Sequence, residues 1–149
     1  AISKRRQVAF CTDLVSTLSR ESKGETPFTP PVQTMYALRE ALLELTEEGA
    51  QNRIAGYRSV VTILRDGLSS LELALLVPRQ HLSNTMTSVM LPEEHSYATL
   101  HKPLKDLAYV ICESQGHLSD TTFRLGTVGL ITQDDIHGFL NALTQVLRC

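Results

Sequence analysis

The chain has 149 residues, 42% of them hydrophobic and 20% charged, with a formal net charge of −2. That length suits a soluble domain with a sizeable core, and the near balance of charge gives no footprint for nucleic acid. Lys4-Arg5-Arg6 is the one basic cluster, and no apolar run approaches the roughly 20 residues of a membrane span.

The chain opens on Ala1 rather than a methionine, which fits a processed or excised piece. Its first residues are basic and then mixed, unlike a signal peptide. The three cysteines, Cys11, Cys112 and Cys149, are scattered and odd in number. They suit reduced thiols, so a cytoplasmic protein is expected. Val8, Cys11, Leu14, Val15 and Leu18 fit one helical face, and Ser19 to Glu25 reads as a polar linker. Phe28-Thr29-Pro30-Pro31 then starts a helix. Thr29 suits its cap, and prolines suit its first turn. Met35, Leu38, Leu42 and Leu45 form the expected buried stripe, and Gly49 the residue after the helix.

A second helix follows from Gln51 to about Leu71. Ile54, Tyr57, Val61, Leu64, Leu68 and Leu71 recur at steps of three and four. Arg53, Arg58 and Arg65 lie off that stripe and read as a solvated face. From Glu72 the period changes: Leu73 to Val77 reads as a strand closed by Pro78, and Asn84 to Pro92 as another. Met86 and Met90 fall on one face of the latter, opposite Thr85, Thr87 and Val89, and read as core filling. Tyr97, Leu100, Leu104 and Leu107 give a third helix, capped near Ser96 and kinked or shortened by Pro103. Tyr109 to Cys112 reads as a strand and Gln115-Gly116 as a turn.

The stretch 120–130 reads as a short strand ending in a loop, in which Phe123 and Leu125 alternate with Thr122 and Arg124, so that Arg124 faces away from the apolar layer. Gly126 and Gly129 follow, letting backbone approach closely. A guanidinium presents a planar fork that matches a carboxylate, phosphate or phosphonate. Arg124 is therefore a candidate anion-holding residue, although a solvated or salt-bridged surface arginine fits the same spacing. The final helix opens at Thr132, with Asp135 three residues on and Ile136, Phe139, Leu140, Leu143, Val146 and Leu147 as its buried face. Asp134 and Asp135 suit capping and the helix dipole rather than a catalytic pair. The summed pattern is an α+β fold, a small mixed or antiparallel sheet with helices packed on one side.

The five histidines have no ligand spacing, so no metal site is expected. There is no nucleophile elbow and no phosphate-cradling glycine loop. Lys102 and Lys105 share a helix with nothing nearby to desolvate an amine, so no catalytic residue is assigned.

The run from Phe28 to Leu42 resembles the segment entering the C-terminal domain of class V, fold-type I aminotransferases. Thr122-Phe123-Arg124-Leu125-Gly126-Thr127-Val128-Gly129 resembles that family's closing stretch. Leu91-Pro92, Tyr97, Leu104-Lys105 and Tyr109-Val110-Ile111 fall in register between them. Among subfamilies the chain is most similar to 2-aminoethylphosphonate–pyruvate transaminases, with serine–pyruvate and alanine–glyoxylate transaminases as the alternative.

The resemblance implies pyridoxal phosphate as cofactor, a homodimer, and a small-molecule amino donor with a 2-oxo acid acceptor. It implies that Arg124 binds the substrate's acid group. It also implies that Thr29, at the Thr-Pro-Pro helix start, reaches the cofactor phosphate of a neighbouring subunit, compatibly with a capping role. Residues 1–26 are then the remnant of a large cofactor-binding domain and linker, and 27–149 the C-terminal small domain. No position matches the family's cofactor lysine, so the isolated chain is expected to be inactive. A non-catalytic truncated module for dimerisation or partner binding is the rival from another class. The family usually has glycine before Tyr109, where this chain has Leu107-Ala108.

Overall fold

In a computed structural model that describes residues 13–148, the chain divides into two units, Ala1–Glu47 and Glu48–Cys149. The first carries α1 (Leu14–Glu21) and most of α2 (Val32–Glu48). Asp13 caps α1, its carboxylate accepting from the Val15 N–H at 3.1 Å. Of the face predicted for the N-terminal segment, Val8 and Cys11 lie outside the described residues, and Leu14 and Leu18 are exposed. The predicted polar linker begins later than Ser19, because α1 runs on to Glu21.

Two expectations for α2 are corrected. Its first helical bond runs from the Met35 N–H to the Pro31 carbonyl at 3.0 Å. Pro31 thus opens the helix, and Thr29 stands outside it rather than as its cap. The stripe expected to be buried is not: Met35, Leu38 and Leu42 are exposed and Leu45 is half-buried. A helix buries its apolar stripe only against another layer. Among the described residues, the one other helix of this unit has eight residues, none of them buried.

The second unit contains α3 (Ala50–Ser70), β1 (Met86–Met90), α4 (Tyr97–Asp106), β2 (Cys112–Glu113), β3 (Thr122–Gly126) and α5 (Gln133–Leu147). Gly49 precedes α3 at φ 86°, a positive-φ backbone that favours glycine. The sheet is antiparallel, in the order β1-β3-β2. One face carries Val89, Phe123 and Leu125, packed against Leu64 and Leu68 of α3, Leu100 and Leu104 of α4, and Phe139 and Leu143 of α5. Helices therefore cover one side of a small sheet, the α+β arrangement expected.

The strand boundaries are corrected by local bonding. The segment Leu73–Val77 is reduced to a single bridge, Leu75 to Val89, with bonds from Leu76 N–H to the Ser88 carbonyl and Met90 N–H to the Ala74 carbonyl. Glu72 in the left-handed region on one side and Pro78 on the other leave room for no more. Tyr109 cannot start a strand, because its N–H closes α4 by donating to the Leu104 carbonyl at 2.8 Å. Pairing accordingly begins at Cys112. Met86 and Met90 do not fill the core; they lie on the sheet face away from it, Met86 exposed and Met90 half-buried.

The caps predicted at Ser96 and Thr132 are present. Ser96 with Thr99, and Thr132 with Asp135, form reciprocal capping boxes at α4 and α5. Pro103 lies within α4, which ends after ten residues. Arg65 is corrected from solvated to buried, at 8% exposure.

Candidate functional site

β3 is the central strand, so Arg124 has a neighbour on each side: Ser88 of β1 and Cys112 of β2. Alternation along the strands puts these three on one face, away from Phe123, Leu125 and Val89. Arg124 is half-exposed while Phe123 and Leu125 are buried. The side chain thus faces as the sequence alternation predicted.

The guanidinium is fixed rather than free. Its Nε and Nη2 both donate to the Glu113 carbonyl, at 3.1 and 2.7 Å. Among the described residues no carboxylate forms an ion pair with it. A cation anchored on one edge by a neutral carbonyl keeps its charge uncompensated and its Nη1 donors available, which suits an incoming anion. Thr122, on the same face, is buried; its Oγ1 is hydrogen-bonded to Ser114 Oγ at 2.7 Å and the Leu118 carbonyl at 3.0 Å. Beyond the strand, the Thr127 N–H extends the ladder to the Thr85 carbonyl at 2.9 Å. Gly129 then turns the chain at φ 107°.

Below the other face lies an apolar recess lined by Leu64, Tyr109, Leu125, Ile131, Ile136 and Phe139. Its one acid, Asp135, accepts from the Thr132 N–H at 2.8 Å. With no basic group in its lining, the recess does not suit an acid group.

Thr29 belongs to the first unit, exposed and with no side-chain hydrogen bond among the described residues. Lys23, Lys102 and Lys105 are all exposed, and Lys102 is paired with Asp106 at 3.0 Å. None is desolvated as a nucleophilic amine requires. No group of three potential metal ligands occurs among the described residues, and none of their helices is long and apolar enough to cross a membrane. The residues missed in the sequence were Ser88, whose relation to Arg124 depends on strand register, and Arg65, whose burial depends on what packs beside it.

No protein-family profile matches the chain. The chain is 29% identical over 144 residues to an uncharacterized aminotransferase of Methanocaldococcus jannaschii, covering 95% of itself and 37% of that protein. It is 29% identical over 159 residues to the 2-aminoethylphosphonate–pyruvate transaminase of Vibrio cholerae, covering 98% of itself and 43% of the relative. Among solved structures, an alanine–glyoxylate aminotransferase from Nostoc superposes with a TM-score of 0.83 at 26% identity, over 98% of this chain and 40% of that one. The chain thus spans about two fifths of the length of the proteins it matches.

Proposed function

From a chain homologous over nearly its whole length to the class V, fold-type I aminotransferases, and carrying their C-terminal small-domain fold, we infer the C-terminal part of a transaminase. The intact enzyme moves an amino group from 2-aminoethylphosphonate to pyruvate, and this domain binds the substrate's acid group. The single observation that carries the reading is the Arg124 guanidinium, held by the Glu113 carbonyl and unpaired with any carboxylate among the described residues. In this reading residues 1–26 are the tail of the preceding large domain, 27–149 the small domain, and the intact enzyme is a homodimer.

Pyridoxal phosphate, the cofactor of that class, supplies the electron sink for carbanion chemistry when bound. The residues described here fit it only in part. Thr29 offers an exposed, uncommitted hydroxyl suited to a phosphate oxygen, whereas Lys23, Lys102 and Lys105 are solvated, which does not suit the cofactor's lysine. This domain's share of the work is positional. Arg124 fixes the acid end of the donor, and so sets where its amino-bearing carbon lies, in a site that excludes water on closing.

The Nostoc structure supports a second reading, an alanine–glyoxylate-type transaminase. One comparison separates the two: turnover of 2-aminoethylphosphonate against alanine and serine by the full-length enzyme. The clamp is tested in the same assay. Arg124→Lys keeps the charge but loses the planar fork, and is expected to lower kcat/KM for the donor by roughly 10- to 100-fold. Unchanged donor affinity would remove Arg124 from the site.

A further inference from the structure

We propose that Ser88 is the residue by which this site distinguishes a three-oxygen phosphonate from a two-oxygen carboxylate. The inference rests on the reading of Arg124 as the acid clamp and extends it to a second side chain.

The register supplies the first step. Thr127 N–H to Thr85 carbonyl and Leu91 N–H to Thr121 carbonyl mark those two pairs as the hydrogen-bonded kind. Counting inward by twos makes Thr87 with Leu125 and Val89 with Phe123 hydrogen-bonded as well, and leaves Ser88 with Arg124 as a narrow pair. In such pairs the Cα atoms approach to about 4.5 Å and side chains on a common face lie close together. Consistently, the Ser88 carbonyl turns outward and accepts from the Leu76 N–H at 3.0 Å.

The second step is the guanidinium plane. Because Nε and one N–H of Nη2 donate to the Glu113 carbonyl, planarity turns Nη1 and the second Nη2 N–H away from it. A carboxylate satisfies the Nη1–Nη2 end with two oxygens. A phosphonate brings a third, which needs a donor of its own. The sheet face around Arg124 offers Met86, Met90, Cys112, Thr122 and Ser88. The methionines donate nothing, a thiol donates weakly, and Thr122 is committed to Ser114 and Leu118. Ser88 is half-buried, and its hydroxyl has no hydrogen-bond partner among the described residues. It is the uncommitted hydroxyl beside the clamp.

The test is competitive inhibition of the full-length holoenzyme by ethylphosphonate and by propionate, which differ in the acid group and need no turnover. Wild type, Ser88→Ala, Ser88→Thr and Arg124→Ala are compared. Ser88→Ala is expected to weaken ethylphosphonate relative to propionate by ~10-fold, the loss of one hydrogen bond to an ionised group. Ser88→Thr, which keeps the hydroxyl, should restore the ratio. If Arg124→Ala weakens both inhibitors while Ser88→Ala leaves their ratio within about twofold, or Ser88→Thr fails to restore it, the role of Ser88 is overturned and the clamp stands. If Arg124→Ala weakens neither inhibitor, the clamp itself fails and takes this inference with it.

Discussion

Arg65 and Thr87 meet on the covered side of the sheet, where Arg65 Nε donates to Thr87 Oγ1 at 3.1 Å. Arg65 Nη2 also holds the carbonyl of Ser83 and, at 3.4 Å, that of Met86. One α3 side chain thus ties down the entry to β1, the strand that carries Ser88. Burial pushes the guanidinium pKa down, and the nearby Arg79 charge pushes the same way. Arg65 is stabilised by hydrogen bonds rather than by an opposing charge.

The first prediction concerns that tie. Arg65→Met keeps the aliphatic volume but leaves the Thr87 hydroxyl and two carbonyls short of a donor. Unpaired buried polar groups cost about 1–3 kcal/mol each, partly relieved by water. A net loss of about 2–4 kcal/mol is expected from urea unfolding. A variant within about 0.5 kcal/mol of the parent would show the tie to be dispensable.

The second prediction comes from two helix ends. α4 closes with Ala108 N–H to the Lys105 carbonyl and Tyr109 N–H to the Leu104 carbonyl. α3 closes with Glu72 N–H to Ser69 and Leu73 N–H to Leu68. This bonding requires a left-handed residue, usually glycine, just past the helix. Here Ala108 sits at φ 68° and Glu72 at φ 58°, each strained by its Cβ. Glycine relieves about 1–2 kcal/mol and returns part of it through the entropy of the unfolded chain. Ala108→Gly and Glu72→Gly should each raise stability by about 0.5–1 kcal/mol in denaturant titrations. Destabilisation by Ala108→Gly would show that the methyl makes packing contacts worth more than the strain.

Ala108 also shows what the sequence could and could not reveal. The absence of the family's usual glycine there was visible in the residues, but the backbone angle that gives it meaning was not. Helices α3 and α5, the caps at Ser96 and Thr132, and the outward face of Arg124 were all legible, because each rests on local spacing. The strand at Leu73–Val77 was misjudged because an apolar run records burial and not whether a ladder has room to form. Arg65 was misjudged because helical periodicity locates a face but not the strand lying across it. The partner of Arg124 was illegible for a related reason: the Glu113 carbonyl is backbone, and no residue type announces it. The exposed stripe of α2 shows the same limit, since a periodic pattern states that a face should be covered without naming the cover.

The third prediction tests the contact between α3 and α5. A methyl group at Gly67 would overlap the end of the Leu140 side chain, which packs against the core. Alanine gains up to about 1 kcal/mol in helix propensity, but overpacking costs about 1–3 kcal/mol. Gly67→Ala is expected to destabilise by about 1 kcal/mol net. Leu140→Ala removes the obstruction, so in the double variant the cost of Gly67→Ala should vanish or reverse. Strict additivity of the two changes would mean that they do not meet.

The last prediction is a pH dependence at the start of α5. Asp135 accepts from the Thr132 N–H at 2.8 Å and the Thr132 hydroxyl at 2.7 Å. The bond to the Thr132 side chain, then that to its backbone, holds the carboxyl pKa below its ordinary 3.8. A folded-state value below the unfolded one means that the unfolded chain binds the proton more readily. The stabilisation is therefore fully present above about pH 4 and lost as the pH falls through the depressed folded value. The site is fully exposed, so salt should weaken the effect without abolishing it. Asp135→Asn removes the charge while keeping a hydrogen-bonding side chain. Its Tm should lie below that of the parent at pH 6, and the gap should close steadily from pH 4 downward. A gap that stayed constant into strong acid would mean that the negative charge at Asp135 contributes nothing to holding the Thr132 cap.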